Sequence, residues 1–268
     1  QLSCRIASHL AERFEIKPGD RVAVLATNEF EFVPLFFAVQ RLGATLVPIN
    51  FRLTGREVAH ILDDSDATML VYQTQFTPVL ESAGAGVVPE RKWTFEDFAK
   101  FAADNTAPLR QRSQPFDGNA TSACMILYTS GTTGAPKGAI ITNGMLHWNS
   151  INTALRLNLS QNDVTIGFSP FFHTGGWNVL LTPLVHRGAK TILLKKFDAP
   201  RVLELASRER ATILFGVPTT MEMIARVPGF EAVDLSSLRY MVVGGEPMPL
   251  ELIRTWEEKG VPIRQGYG

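Results

Sequence analysis

Residues 128–140 read YTSGTTGAPKGAI, a segment rich in glycine and hydroxyl side chains that overlaps the end of the apolar run CMILY. Such a loop presents backbone N–H groups and hydroxyls without bulky side chains in the way, which suits phosphate oxygens. Lys137 would add a mobile positive charge. Its neighbours, Pro136 and Gly138, depart from the phosphate-binding pattern G-x-x-x-x-G-K-[ST]. On composition alone, a solvated turn between a strand and a helix is the alternative.

Three later stretches also place reactive or flat side chains beside glycines. SPFFHTGGW at residues 169–177 contains His173, VGGEPMP at residues 243–249 contains Glu246, and QGYG at residues 265–268 contains Tyr267. Taken singly, these three have structural interpretations, as a core histidine, a turn residue and a terminal turn tyrosine. The remaining histidines lie in no comparable motif and are interpreted as structural or surface residues: His9, His60, His147 and His186.

The strands and helices that must position these residues alternate along the chain. Apolar, β-rich runs predict strands at residues 21–26, 44–49, 68–73, 124–129, 164–169, 190–196, 211–216 and 240–245. Helical patterns predict helices at residues 30–42, 54–64, 143–157, 199–210, 219–226 and 250–259. Uniformly apolar strands separated by helices indicate a mostly parallel sheet that is covered on both faces, so the fold class is α/β. The polar segment at residues 104–120 is predicted to be a surface connection.

Composition excludes several classes of partner. The 268 residues carry 26 basic and 26 acidic side chains, so no net field attracts nucleic acid or an anionic membrane. The apolar runs are shorter than the roughly 20 residues of a membrane span. Cys4 and Cys124 are far apart and lack metal-ligand spacing, which favours a reducing, cytoplasmic setting. The chain begins inside an amphipathic helix and stops at a strand-to-turn transition, so we expect a fragment of a longer protein.

The four motifs occur in the order found in the adenylate-forming enzymes. YTSGTTGAPKG resembles the phosphate loop of that superfamily, which includes acyl-CoA synthetases, luciferases and nonribosomal adenylation domains. The stretches at residues 169–177, 243–249 and 265–268 resemble its acyl-site segment, its segment beside adenine and substrate, and the start of its adenine-binding motif. The resemblance implies two similar α/β lobes with the ligand between them, at residues 20–157 and 164–268, and residues 1–19 packed on the second lobe.

The resemblance also implies a reaction in two steps. A carboxylate attacks the α-phosphate of ATP to give an acyl-adenylate and pyrophosphate, and a thiol such as that of coenzyme A then displaces AMP. Loop donors, Lys137 and Mg²⁺ would stabilise the charge that grows on pyrophosphate. The implied ATP-binding residues are Thr129, Ser130, Gly131, Thr132, Thr133, Gly134, Lys137, Gly245, Glu246, Pro247, Gln265, Gly266, Tyr267 and Gly268. Within this set, Tyr267 is predicted to stack on the adenine ring.

Lys137 and His173 are the predicted catalytic residues, and no residue is predicted to bind a metal directly. The predicted substrate-binding residues are His173, Gly175, Trp177 and Gly244. The stretch around FFHTGGW lacks the acid that amino-acid-activating enzymes use for the α-amino group, so an aliphatic or aromatic acid is expected. Residues 172–194 most resemble the medium- or long-chain fatty acyl-CoA synthetases, with aryl-CoA ligases close behind.

Three classes of function stay open at this point. The first is a coenzyme A ligase, the second an acyl-adenylate ligase that loads a carrier protein, and the third a non-catalytic module that binds nucleotides or acyl groups. In the resembling enzymes QGYG is followed by a metal-binding acid, a ribose-binding acid and a small mobile domain with a lysine. This chain ends before all of them, so we expect it to be inactive alone. A homodimer is left open.

Overall fold

The computed structural model describes residues 1–84, 86–104, 118–129 and 136–267. Contacts divide the chain into two units, Gln1–His147 and Trp148–Gly268. Both units combine mostly parallel strands with helices, which confirms the predicted α/β class. The predicted boundary at residues 157–164 differs from this division, which falls within the helix at residues 143–157. Within the described ranges, none of the helices combines the length and the hydrophobicity needed to cross a membrane.

The first unit contains a six-stranded sheet. Its strands are β1 (Arg21–Leu25), β2 (Thr45–Pro48), β3 (Met69–Tyr72), β4 (Arg91–Thr94), β5 (Ala123–Thr129) and β6 (Lys137–Thr142). They lie in the order β4-β3-β1-β2-β5-β6. All neighbouring strands run parallel except β5 and β6, which form an antiparallel pair. The strands at the centre of the sheet are almost entirely buried, as their uninterrupted apolar sequences require.

The helices of this unit are α1 (Leu2–Arg13), α2 (Phe32–Arg41), α3 (Gly55–Asp64), α4 (Thr77–Ala83) and α5 (Phe95–Ala103), followed by α6 (Asn143–Leu157), which contains the division. Two of them begin at threonine caps. The N–H of Thr54 donates to Glu57 at 2.8 Å, and the hydroxyl of Thr94 accepts from the N–H of Asp97 at 3.2 Å. Such caps satisfy backbone groups that a helix end leaves free. The local sequence thus fixes where α3 and α5 start.

Helix α1 packs within the first unit. Its buried residues Ile6 and Leu10 belong to a helix that contacts α2, and Arg5 donates to the carbonyl of Ala102 at 3.0 Å. The ring of His9 lies 4.3 Å from that of Phe101. The prediction that residues 1–19 pack on the second lobe is therefore corrected. The amphipathic pattern showed that α1 has a buried face, but it did not show which surface covers that face.

The second unit carries five parallel strands. They are β7 (Val164–Gly167), β8 (Lys190–Leu193), β9 (Ile213–Gly216), β10 (Tyr240–Val243) and β11 (Ile263–Gln265). β7 pairs with β8, and β10 lies between β9 and β11. The N–H of Thr212 donates to the carbonyl of Val164 at 2.8 Å and joins the two groups. The helices are α7 (Thr174–Trp177), α8 (Leu181–Arg187), α9 (Ala199–Arg208), α10 (Pro218–Ala225) and α11 (Leu250–Glu258).

The second unit has a core cluster on each side of these strands, and Ile213, Tyr240 and Val242 belong to the one that includes Leu157 and Leu184. Ile166, Leu214, Met241 and Val243 project from the strands into the other cluster, with residues of α9, α10 and α11 such as Trp256, which is fully buried. Burying a large apolar side chain stabilises a fold by about 1.5–3 kcal/mol. This cluster therefore holds the strands in place by packing them against the three helices.

Candidate active site

The candidate site of the first unit is the base of the predicted phosphate loop. Thr129 is the last residue of β5 and Lys137 the first residue of β6, and the two pair directly across the antiparallel ladder. Both are exposed. The predicted ATP-binding residues Ser130, Gly131, Thr132, Thr133 and Gly134 lie outside the described residues. The sheet thus brings the first hydroxyl and the lysine of the motif to the same place.

Helix α3 holds the residues on both sides of this loop. The hydroxyl of Tyr128 donates to Asp64 at 2.6 Å, and Nε2 of His60 lies 3.0 Å from the carbonyl oxygen of Pro136. Burial and then the bond to the Asp64 carboxylate raise the pKa of Tyr128 far above its usual value, so its proton stays in place. These contacts could not be predicted from the sequence, because His60 and Asp64 are far from the motif along the chain.

Gly138 leaves room for the Tyr128 ring. The two residues are paired across β5 and β6, and a Cβ on Gly138 would come within 2.7 Å of Ile126 Cγ2 and 3.1 Å of Tyr128 Cζ. Contacts as close as the first are not tolerated by real side chains. The glycine after Lys137 therefore has a structural reason that is independent of any ligand.

The second unit has its own candidate site at one edge of its strands. Because β7, β9, β10 and β11 are parallel, the segments that follow them meet at their carboxyl ends, where α/β proteins bind ligands. His173, Gly175 and Trp177 follow β7, Gly244 to Pro247 follow β10, and Gln265 ends β11. Three motifs that are separate in the sequence are thereby brought to one edge.

The residues after β7 differ in what they offer a ligand. His173 is exposed at the start of α7, and its ring lies 4.6 Å from that of Phe172. Trp177 is fully buried, with its indole N–H 2.6 Å from the carbonyl oxygen of Phe171. In this position Trp177 supports the backbone of the motif. Its direct contact with a substrate stays a prediction.

Phe215 is a site residue that the sequence did not reveal. A Cβ on Gly175 would lie 3.1 Å from one carbon of this ring, and a Cβ on Gly244 would lie 3.7 Å from another. The ring therefore sits between two of the glycines predicted to bind substrate. Phe215 is the third residue of an ordinary apolar strand, β9, and only the adjacency of β7, β9 and β10 gives it this position.

The turns after β10 and β11 are tied together by Gln265. Its amide nitrogen lies 3.1 Å from the carbonyl oxygen of Glu246, and its amide oxygen accepts from the N–H of Met248 at 3.1 Å. The adjacent Tyr267 is fully exposed, as are large parts of Gly245, Glu246, Pro247 and Gly266. The predicted ATP-binding residue Gly268 lies outside the described residues. Gln265 thus organises the turns beside the predicted adenine site.

An apolar cavity adjoins the glycines of the motif after β7. Its lining includes Gly175, Gly176, Leu180 and Phe215. A pocket of this kind suits an apolar ligand with few polar groups. Across the described part of the chain, no group of three or more His, Cys, Asp or Glu side chains is placed to hold a metal ion.

Comparison with known proteins agrees with this arrangement. The AMP-binding enzyme family matches residues 1–268. The chain is 35% identical over 253 residues to a feruloyl-CoA synthase of Amycolatopsis sp, covering 94% of the chain and 50% of that protein. It is also 35% identical over 257 residues to the long-chain-fatty-acid–CoA ligase FadD13 of Mycobacterium tuberculosis, again covering 94% of the chain and 50% of that protein.

Comparison with solved structures agrees with the sequence comparisons. The inhibitor-bound crystal structure of the N-terminal domain of FACL13 from Mycobacterium tuberculosis superimposes with a TM-score of 0.91 at 32% identity, covering 100% of this chain and 67% of that one. The chain has the α/β fold of that N-terminal domain. This chain belongs to the AMP-binding enzyme family. It spans about half the length of the curated relatives named above.

Proposed function

We propose that the protein to which this chain belongs activates a carboxylic acid with ATP, forming an acyl-adenylate and pyrophosphate, and then transfers the acyl group to coenzyme A. The observation that carries the proposal is the pairing of Thr129 with Lys137 at the base of the glycine- and hydroxyl-rich loop. The family match over the whole chain and the two relatives, both named as forming coenzyme A thioesters, support it.

The proposed roles follow from charge and exposure. Lys137 and the donors of residues 129–134 would stabilise the negative charge that develops on the departing pyrophosphate. Mg²⁺ would neutralise phosphate charge when bound with ATP. His173, exposed after β7, would border the carboxylate of the acid and the path of the thiol. Tyr267 offers an exposed ring for the adenine, and the turns at residues 244–247 and 265–268 would surround it.

The acid is proposed to be apolar. A medium- or long-chain fatty acid is the first candidate, supported by the apolar cavity lining and by the long-chain-fatty-acid–CoA ligase. An aryl acid is the second candidate, supported by the feruloyl-CoA synthase and by the Phe215 ring beside Gly175 and Gly244. Transfer to a carrier protein, or nucleotide or acyl binding without catalysis, are the alternatives to transfer to coenzyme A. A cytoplasmic setting is part of the proposal, in line with the two free cysteines.

The proposal is tested first by binding. Calorimetric titration of this chain with ATP, AMP and a non-hydrolysable acyl-adenylate mimic is expected to show that the mimic binds. Loss of the stacked ring in Tyr267→Ala is expected to weaken its binding about three- to tenfold. Lys137→Ala is expected to weaken ATP binding about tenfold.

Lys92→Ala is the matched control, because Lys92 is an exposed lysine on β4, at the opposite edge of the same sheet from β6. Its affinity for ATP should equal that of the wild type. Equal affinities in all variants would contradict the proposed nucleotide site. Thioester formation from ATP and coenzyme A by this chain alone would contradict the expectation that the fragment is inactive.

A further inference from the structure

Two threonine hydroxyls inside the apolar cavity have no hydrogen-bond partner among the described residues. Thr165 on β7 and Thr191 on β8 are paired in the parallel ladder, and both line the cavity. Thr165 is 1% exposed. The Oγ1 atoms of both residues are buried, and neither makes a hydrogen bond within the part of the chain that the structure describes.

The two hydroxyls lie on the same face of the strands. Side chains alternate along a strand, so Thr165 and Thr191 share a face, whereas Ile166 and its partner Ile192 point into the opposite core. Gly167 is on the threonine face, where a Cβ would come within 2.9 Å of Leu193 Cδ2. The missing side chain at Gly167 therefore helps to keep this space open.

Unpaired hydroxyls are costly in such surroundings. Apart from backbone and Ser169, the rest of the lining is apolar, with Leu180, Leu181 and Phe215 among its members. A buried polar group without a partner destabilises the folded state, because it has lost its hydrogen bonds to water. Valine has nearly the same shape and would avoid this cost. The pair is explained if a group that enters the cavity bonds to it.

The cavity is also placed where a substrate would reach it. Its lining includes Gly175, one of the residues predicted to bind substrate, and Phe215, whose ring also faces Gly244. The cavity has room for at least one water molecule.

We propose that this cavity takes the end of the substrate that is far from its carboxylate, and that this end carries a hydroxyl group bound by Thr165 and Thr191. The proposal rests on the proposed function and narrows its substrate class. The hydroxyl sits either on an aromatic ring or at the end of an aliphatic chain. In both cases it exchanges hydrogen bonds with the threonine hydroxyls, each of which can donate and accept.

The first test uses phenol and toluene, which have similar shapes and differ by a hydroxyl group. In thermal and calorimetric titrations of this chain, phenol is expected to bind about tenfold more tightly than toluene. In Thr165→Val/Thr191→Val this preference should disappear, because the polar partners are gone. Thr165→Ser/Thr191→Ser keeps both hydroxyls and should keep the preference. This serine variant also distinguishes loss of recognition from loss of folding.

Thr45→Val is the matched control. Thr45 is a buried threonine of β2 in the first unit, and its hydroxyl donates to the carbonyl of Ala123 at 3.3 Å. This variant should retain the full preference for phenol. Equal binding of phenol and toluene to the wild type, or binding of neither, would overturn the proposal and leave the two hydroxyls to a structural water.

A second test separates the two kinds of acid and separates this proposal from the proposed function. Acyl-adenylate mimics of 4-hydroxycinnamic and cinnamic acids form one pair, and those of 8-hydroxyoctanoic and octanoic acids form another. A hydroxyl preference in one pair identifies the ring or the chain. Binding of these mimics without any hydroxyl preference contradicts the inference alone. Failure of every mimic, with the phenol preference intact, contradicts the proposed function alone.

Discussion

His60 and Asp64 lie one turn apart on α3 and contact the residues on either side of the predicted phosphate loop, Pro136 and Tyr128 respectively. Residues four apart on a helix share a face, so a single rigid element sets the positions of both loop ends. This relationship gives α3 a direct connection to the base of the loop.

Removing the Tyr128 hydroxyl is expected to weaken that connection. Tyr128→Phe should lower the free energy of unfolding by about 1 kcal/mol, the value of one ordinary hydrogen bond. It should also weaken ATP binding severalfold, because the end of β5 loses its tie to Asp64. Urea unfolding and calorimetry measure the two effects. Tyr72→Phe, at the end of β3 in the same sheet, is the control that should leave ATP affinity unchanged.

The adjacent glycines Gly175 and Gly176 should respond differently to alanine. A Cβ on Gly176 would lie 2.3 Å from the carbonyl oxygen of Pro170, a backbone atom that cannot move away alone. Gly176→Ala should therefore reduce the free energy of unfolding by about 1–3 kcal/mol or more. A Cβ on Gly175 meets only the Phe215 ring, at 3.1 Å, and a small ring shift accommodates it.

Gly175→Ala should accordingly keep most of the stability. It should reduce binding of an acyl-adenylate mimic, since it displaces the Phe215 ring, which also lies beside Gly244. Chemical unfolding and mimic titration on both variants test this contrast. Similar losses of stability in the two variants would show that the Phe215 ring is as rigid as the Pro170 backbone.

Asp163 makes the stability of the second unit dependent on pH. Burial by itself raises the pKa of this carboxyl, but bonds from Thr212 at 2.6 Å, the N–H of Ser160 at 2.7 Å and Arg239 at 2.7 Å outweigh that effect and leave the pKa below its usual value. A lowered pKa in the folded state contributes stability above the unfolded value of about 3.9. That contribution is lost as the pH falls through the folded pKa.

Asp163→Asn should therefore lower the free energy of unfolding at neutral pH by about 1–3 kcal/mol and flatten its decline below about pH 4. Asp66→Asn is the control, because Asp66 also pairs with an arginine, Arg21, but its side chain is 86% exposed. An exposed pair contributes at most about 1 kcal/mol. Equal effects of the two substitutions would argue against a special role for the buried carboxylate.

The two cysteines should differ in reactivity. Cys124 is 1% exposed, burial raises its pKa to about 12, and its thiol donates to the carbonyl of Ile141 across β5 and β6. Cys4 is partly exposed. Iodoacetamide at pH 8 should therefore alkylate Cys4 first and reach Cys124 only when β5 and β6 separate or unfold. Mass spectrometry of timed samples gives both rates, and Cys4→Ser isolates that of Cys124.

Much of the fold follows from local sequence. All eight predicted strands are present, and α6 has the predicted bounds, because long apolar runs and helical periodicity are strong signals. β4 was missed since its four residues begin with Arg91 and Lys92, which do not resemble a buried strand. β6 was missed because it follows directly from the loop and contains Gly138. Helices α7 and α8 were missed because they have four and seven residues, too few to show a period.

The residues of the candidate site also include some that could be predicted from the sequence and some that could not. The motif residues could be named from sequence because their types and spacing are unusual. Phe215, His60, Asp64, Thr165 and Thr191 could not, because each takes its place only when strands or helices distant in sequence come together. A single threonine in an apolar strand carries no signal of its own. Only the parallel register reveals the pair.

The strand order of the first unit sets a sequence of assembly during synthesis. β1 to β4 all lie before residue 95 and pair with one another, whereas β5 pairs with β2 through Leu46 and Met125, far apart along the chain. A nascent chain emerging from the ribosome can therefore form four strands before the β5–β6 hairpin is available. Until the hairpin arrives, β2 presents an apolar open edge, the kind of surface that chaperones cover and that aggregates grow from. The segment that carries the predicted nucleotide motif is then also the segment that closes this edge.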